Sequence, residues 1–238
     1  MQSQGTQRHD HAFDAQVHAR NYHYDYVTTL DDLIPESIQI DLRHRINGLI
    51  AAGGVRRVDH QGHGTAAVSD RGGRYLHHVL VGDDVRAHLP ELVTLYQALL
   101  PLISVITNQH VVLSPHPRSD INIKVYPPGG GTLGEHHDTN GITVLLFLTT
   151  NREAPLRMQI PRRHPGRGTW VERREIHARS GTLLVMQGRE VLHDCAPTET
   201  EQKMTVIFNY YVRGDTWRHP DFDDFVYDGI PPETAAPA

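Results

Sequence analysis

Apolar positions recur at helical intervals in the first half of the chain and alternate in short bursts in the second. From Pro35 to about Ala52, Ile38, Ile40, Leu42, Ile46 and Leu49 stand among polar residues, and Gly53-Gly54 closes the run, which predicts a helix. Leu89, Leu92, Leu95, Leu99 and Leu100 predict a second helix from Asp83 to about Thr107. Tyr22–Thr28 and Tyr75–Val81 are rich in aromatic and β-branched residues and read as strands, with a Gly-rich polar loop over 61–73 between helix and strand. Beyond residue 108, β-type runs follow one another between turn residues: His110–Leu113, Ile121–Tyr126, Ile142–Thr149, Leu156–Ile160, Thr169–Arg173, Gly181–Met186 and Lys203–Val212. Short strands at that spacing predict a sandwich or barrel with helices packed outside it. A polar arm is expected over 1–20, one domain over 21–238 with its β core at about 108–213, and a tail from 214.

Composition narrows the class without naming a chemistry. A chain of 238 residues with 38% hydrophobic and 21% charged residues suits one large globular domain. The net charge of −5, with basic residues scattered, argues against a nucleic-acid footprint. The polar first twenty residues lack a signal-peptide core, the apolar runs are too short to cross a membrane, and a single cysteine precludes an internal disulfide. A cytoplasmic protein is the expectation.

Histidine is abundant, at 18 residues, so chance pairs are common. Three His-x-Asp pairs occur: His23/Asp25, His136/Asp138 and His219/Asp221. Only the second lies between β runs. In a strand, residues i and i+2 share a face, so His136 and Asp138 are able to chelate one ion while His137 turns away. The best third ligand is His193, which follows the apolar strand GTLLVMQG. Two imidazoles and one carboxylate on one side of a metal leave its other positions open, the donor set of non-haem Fe(II) oxygenases. Further on, Lys203 and Thr205 are again i and i+2, and a lysine turned into a sandwich needs an anionic partner. On Ile121–Tyr126, Asn122, Lys124 and Tyr126 share one face.

These pieces together resemble one family. From about Ile121 to Val212, Tyr126, PPGGG, His136-His137-Asp138, LRMQIP, GTLLVMQG, His193 and Lys203 follow the order found in the 2-oxoglutarate/Fe(II) dioxygenases, on their prolyl-hydroxylase-like branch. The resemblance implies a double-stranded β-helix, or jelly roll. It implies that His136, Asp138 and His193 hold Fe(II). It also implies that Lys203, helped by Thr205, binds the distal carboxylate of 2-oxoglutarate, with Tyr126 nearby. Lysine and threonine depart from the commoner arginine and serine, though the prolyl-hydroxylase branch also uses lysine. The implied reaction consumes O2, releases succinate and CO2, and oxidises an unactivated C–H bond. A small metabolite is the expected substrate, with Arg157 as a candidate contact.

Two rival readings stand beside it. A cupin-type metal isomerase or dioxygenase would work without 2-oxoglutarate, but usually shows His-x-His and a later Glu, which do not fit around residue 136. A jelly-roll binding module would require neither three ligands nor Lys203. PPGGGTLG lacks the Gly-Lys-Ser/Thr of a phosphate loop. Arg162, Arg163 and Arg167 read as a solvated loop, and His77 or His78 as residues near the site mouth.

Overall fold

A computed structural model describes residues 14–61, 74–131, 134–164, 166, 168–215, 223 and 227. In chain order the elements are α1 (Ala15–Asp25), β1 (Val27–Leu30), α2 (Glu36–Ala51), β2 (Arg56–Gln61), β3 (Arg74–Leu80), α3 (Gly82–His88), α4 (Pro90–Thr107), β4 (Val111–Leu113), β5 (Ile121–Tyr126), β6 (Ile142–Phe147), β7 (Asn151–His164), β8 (Gly168–Ala178), β9 (Leu183–Met186), β10 (Leu192–Cys195) and β11 (Lys203–Val212). An eight-stranded antiparallel sheet runs β1-β9-β6-β11-β5-β3-β2, with β4 also on β11. A three-stranded sheet, β10-β7-β8, faces it.

Two-residue alternation divides the large sheet into two surfaces. Met204, Val206 and Phe208 of β11, Ile121, Ile123 and Val125 of β5, and Val144 and Leu146 of β6 pack with Leu42 and Ile46 of α2 and Leu92, Tyr96, Leu99, Ile103 and Ile106 of α4. Helix α4 is long and apolar enough to cross a membrane, yet these five residues form one stripe docked on the sheet. The alternate residues, including Leu145, Phe147, Leu184 and Met186, meet Leu156, Met158 and Ile160 of β7 across the inter-sheet space. The expected jelly roll with outer helices is therefore present, and the inter-sheet space is where an inward polar residue must find a partner.

Local chemistry moves several expected boundaries. Residues 15–20, expected in a loose arm, belong to α1, whose N-terminus is capped by the Asp14 carboxylate accepting from Gln16 and Val17 amides at 3.0 and 3.3 Å. That helix continues to Asp25, so the strand expected at Tyr22–Thr28 starts at Val27, after Tyr26 turns left-handed at φ 59°. The long helix expected from Asp83 to Thr107 breaks at Leu89, because Pro90 disfavours helical backbone in the residue before it. Strand β2 was not expected, and β7 and β8 are far longer than their apolar centres because a hairpin ladder continues through polar residues. Residues 1–13 of the arm, most of the loop and tail, and the pair His219/Asp221 lie outside the described residues.

Candidate metal centre

His136 and His193 pair as an isolated antiparallel bridge, each amide donating to the other's carbonyl at 2.9 and 3.0 Å. Two residues on, the Asp138 amide donates to the Gly188 carbonyl at 2.9 Å. These backbone bonds set the His-x-Asp segment against β10 and the end of the β9 turn, which draws distant parts of the sequence to one point. His136 Nε2 and His193 Nε2 lie 3.5 and 3.7 Å from the same oxygen, Asp138 Oδ1. One ligand atom from each residue falls within 4.8 Å of the others, a spacing suited to three donors each about 2.0–2.2 Å from one ion.

Neighbouring groups fix which atoms face the centre. His136 Nδ1 donates to the Gly134 carbonyl at 2.7 Å and His193 Nδ1 to the Val191 carbonyl at 2.9 Å. A carbonyl only accepts, so each Nδ1 carries the hydrogen and each Nε2 presents its lone pair inward. The Thr143 hydroxyl donates to Asp138 Oδ2 at 2.5 Å, which leaves Oδ1 for a metal. Burial pushes His193 down to about 4, only partly offset by Asp138, so the imidazole is neutral, as a ligand must be. Burial alone would raise the Asp138 pKa; the two histidines and Thr143 outweigh it and hold the carboxyl well below the usual range. Gly188 makes the approach possible: a Cβ there would lie 2.6 Å from Asp138 Oδ2 and 2.7 Å from Thr143 Oγ1.

Beside this set lies a polar chamber. Lys203 is 3% exposed, and its ammonium donates to the Ala154 carbonyl at 3.1 Å and to the Cys195 sulfur at 2.9 Å, with no carboxylate bonded to it among the described residues. The register places Lys203 opposite Tyr126 and Thr205 opposite Lys124 on the inward face. Thr205 Oγ1 and Asn122 Oδ1 are buried without a hydrogen-bond partner among the described residues. Buried polar atoms are usually paired. An orphaned hydroxyl two residues along the strand from a buried ammonium, with an orphaned amide oxygen farther along the inward face, thus fits a polar, anionic ligand between the sheets, and the donor set fits a divalent iron.

No protein-family model and no curated protein matches the sequence. Solved structures do match over nearly the full chain. The non-haem alpha-ketoglutarate-dependent carbocyclase SnoK from nogalamycin biosynthesis superposes with a TM-score of 0.65 at 16% identity, covering 93% of this chain and 92% of its own. EctD from S. alaskensis, solved with 2-oxoglutarate and 5-hydroxyectoine, gives 0.60 at 14% identity, covering 92% and 82%. A Pseudomonas putida prolyl-4-hydroxylase gives 0.56 at 14% identity, covering 84% and 100%. This chain has the fold of those 2-oxoglutarate-dependent enzymes.

Within that fold the other sequence candidates disperse. Arg157 is displaced from its expected role at the substrate: β10 pairs Met158 with His193 and Arg157 with Asp194, which turns Arg157 to the outer face of the small sheet. There it is 48% exposed and forks onto the Asp194 carboxylate, with Nε 2.9 Å from Oδ1. Arg162, expected in solvent, is buried against Asp25, Glu172 and the Tyr24 carbonyl. The pair His23/Asp25 sits on α1 rather than on a strand, and Asp25 serves Arg162 and Arg174. His77 is buried with its ring 5.4 Å from that of Tyr126, and the β3 register, with Val79 opposite Lys124, puts it on the same inward face as Lys124 and Tyr126. Sequence reasoning passed over Thr143 and Gly188. Gly188 closes the GTLLVMQG run, but its contact with Asp138 exists only once β9 and the His-x-Asp segment meet.

Proposed function

We propose that the protein is an Fe(II)- and 2-oxoglutarate-dependent oxygenase, a single domain that takes in α1, that oxidises an unactivated C–H bond of a small molecule. The observation that carries this reading is the juxtaposition of an open-sided His136/Asp138/His193 set with a buried Lys203 that bonds to no carboxylate among the described residues. A cupin-type enzyme independent of 2-oxoglutarate, or a binding module, has no use for both.

When bound, iron supplies the centre at which oxygen and the 2-oxo acid react, yielding succinate, CO2 and an oxidised substrate. The chain's own residues bind and orient. His136 and His193 are held in the ligating tautomer by the Gly134 and Val191 carbonyls. Thr143 keeps Asp138 from swinging, so that one carboxylate oxygen faces the metal. Lys203 and Thr205 receive the distal carboxylate, and Tyr126 bounds the chamber beside Lys203. Hydroxylation is the proposed outcome. SnoK is a carbocyclase and SnoN, of the same fold, an epimerase, so ring closure and epimerisation are the products to seek beside hydroxylation.

The test is a small-molecule library screened with the Fe(II)-loaded protein and 2-oxoglutarate, scored by succinate release coupled to oxygen uptake. Substrate-dependent succinate supports the reading. Failure of the anaerobic Fe(II) protein to bind 2-oxoglutarate sinks it.

A further inference from the structure

Lys203 is not the lone inward lysine. Lys124, on the adjacent strand β5, stands directly opposite Thr205 and therefore diagonal to Lys203 on the same face. Diagonal neighbours across such a ladder lie roughly 7–8 Å apart at the backbone, within reach of long side chains. The ammonium takes part in no hydrogen bond and no ion pair among the described residues. Its other cross-strand neighbour is the fully buried Val79 of β3, which offers no charge.

Two properties of Lys124 fit a chamber wall and not a packed core. Burial drags its ammonium below the ordinary lysine range, with Asp138 and then Cys195 pulling it partway back. The residue nevertheless keeps accessible surface, unlike its buried strand neighbours Ile123 and Val125. A side chain deep in the protein that still touches open volume lines an internal cavity. Its electrostatic neighbours locate it further. Asp138 belongs to the metal set, and the Cys195 sulfur is bonded to Lys203. Lys124 thus shares the inward face with Lys203 and lies within electrostatic range of both the metal set and the sulfur bonded to Lys203.

We propose that Lys124 is a second cationic anchor of the co-substrate, gripping the carboxylate that meets the metal while Lys203 holds the far one. The inference rests on the proposed function above. Charge supports it: two lysines share the inward face, Asp138 is the carboxylate within electrostatic range of Lys124 among the described residues, and a divalent ion would offset that carboxylate. A dianion with its charges at opposite ends of a short chain answers the two lysines, whereas a neutral occupant would leave Lys124 uncompensated at depth. Lys124 is a positioning residue, acting on where the 2-oxo acid lies.

Ligand truncation tests this. 2-Oxopentanoate keeps the metal-end carboxylate of 2-oxoglutarate and lacks the distal one. Both acids are titrated into the anaerobic Fe(II) protein, read by the metal-to-ligand absorption band, and into the Zn(II) form by calorimetry. Lys203→Ala should weaken 2-oxoglutarate and leave 2-oxopentanoate nearly unchanged. Lys124→Met should weaken both, roughly thirtyfold or more, because one partner of a desolvated charge pair is gone. Its band should also shift, since the metal-end carboxylate has lost a cation. Lys124→Met without ligand should melt no lower than the parent, because an uncompensated buried charge has been removed; this separates lost binding from lost folding. Parent-like affinity for both acids in Lys124→Met, or a loss confined to 2-oxoglutarate, overturns the proposal. If the parent itself binds iron but neither acid, the proposed function fails first.

Discussion

Gly188→Ala is the sharpest probe of how the metal set is assembled. The backbone there is not left-handed, so alanine carries no conformational penalty and the test isolates one methyl group. That methyl would sit 2.6 Å from Asp138 Oδ2, 2.7 Å from Asp138 Cβ and 2.7 Å from Thr143 Oγ1. Ordinary carbon contacts are near 3.5–4.0 Å, so something must retreat by roughly 1 Å. The side chains that retreat are the ligand Asp138 and the hydroxyl that fixes it. Overpacking costs about 1–3 kcal/mol, and loss of the hydrogen bond to a charged carboxylate costs about 1.5–3 kcal/mol. Only the part that acts on Asp138 is felt by the metal. Disturbing such supporting contacts lowers metal affinity about 10–100-fold. The assay is competition for Fe(II) or Co(II) against a chelator of known affinity, with an apo melting curve alongside. Thr143→Val should show a weaker fall in the same assay, since it removes the hydrogen bond without the clash. Parent-like metal affinity in a folded Gly188→Ala protein would refute the assignment of Asp138 as a ligand in this geometry.

Other outcomes follow from the same contacts. Asp138→Ala or His193→Ala should lose iron while the fold survives, whereas Asp25→Ala should keep iron but melt lower by about 2 kcal/mol or more, because Arg162 and Arg174 lose their shared carboxylate; iron retained in Asp138→Ala would move the site. Lys203→Ala should weaken 2-oxoglutarate by about 2–5 kcal/mol with iron still bound, Lys203→Arg less, and Thr205→Val by on the order of 1 kcal/mol, all read by anaerobic titration. Acid should destabilise the metal-free protein through His193. The unfolded chain takes up this proton near pH 6.5 and the folded chain only near about 4, so stability is lost as pH falls across that window and the loss levels off below it. The difference between parent and His193→Ala denaturation at pH 7 and pH 4.5 should be on the order of 3 kcal/mol; no difference would mean that the imidazole is not buried as described.

Much of this protein is legible in one dimension. The alternation in KMTVIFNYYV already puts Met204, Val206 and Phe208 on one side and Lys203 and Thr205 on the other, because a strand has a period of two whatever sheet it joins. The same rule joins His136 to Asp138 and frees His137. The order of Tyr126, His-x-Asp, distal His193 and Lys203 suffices for the family resemblance. Local rules fail where a neighbour outvotes them. Tyr22–Thr28 has strand composition, but the Asp14 cap and contacts with α4 keep its first half helical. Arg157 and Arg162 look alike in sequence, both basic and close to apolar residues. Pairing with β10 turns Arg157 to the outer face, while Asp25 from α1 draws Arg162 into the protein. The meeting of His136 with His193, the closeness of Gly188 to Asp138, and the nearness of Lys124 to Asp138 and Cys195 are decided by which strands pair. No periodicity records these, since each depends on residues far apart in the chain and brought together only by the closed sheets.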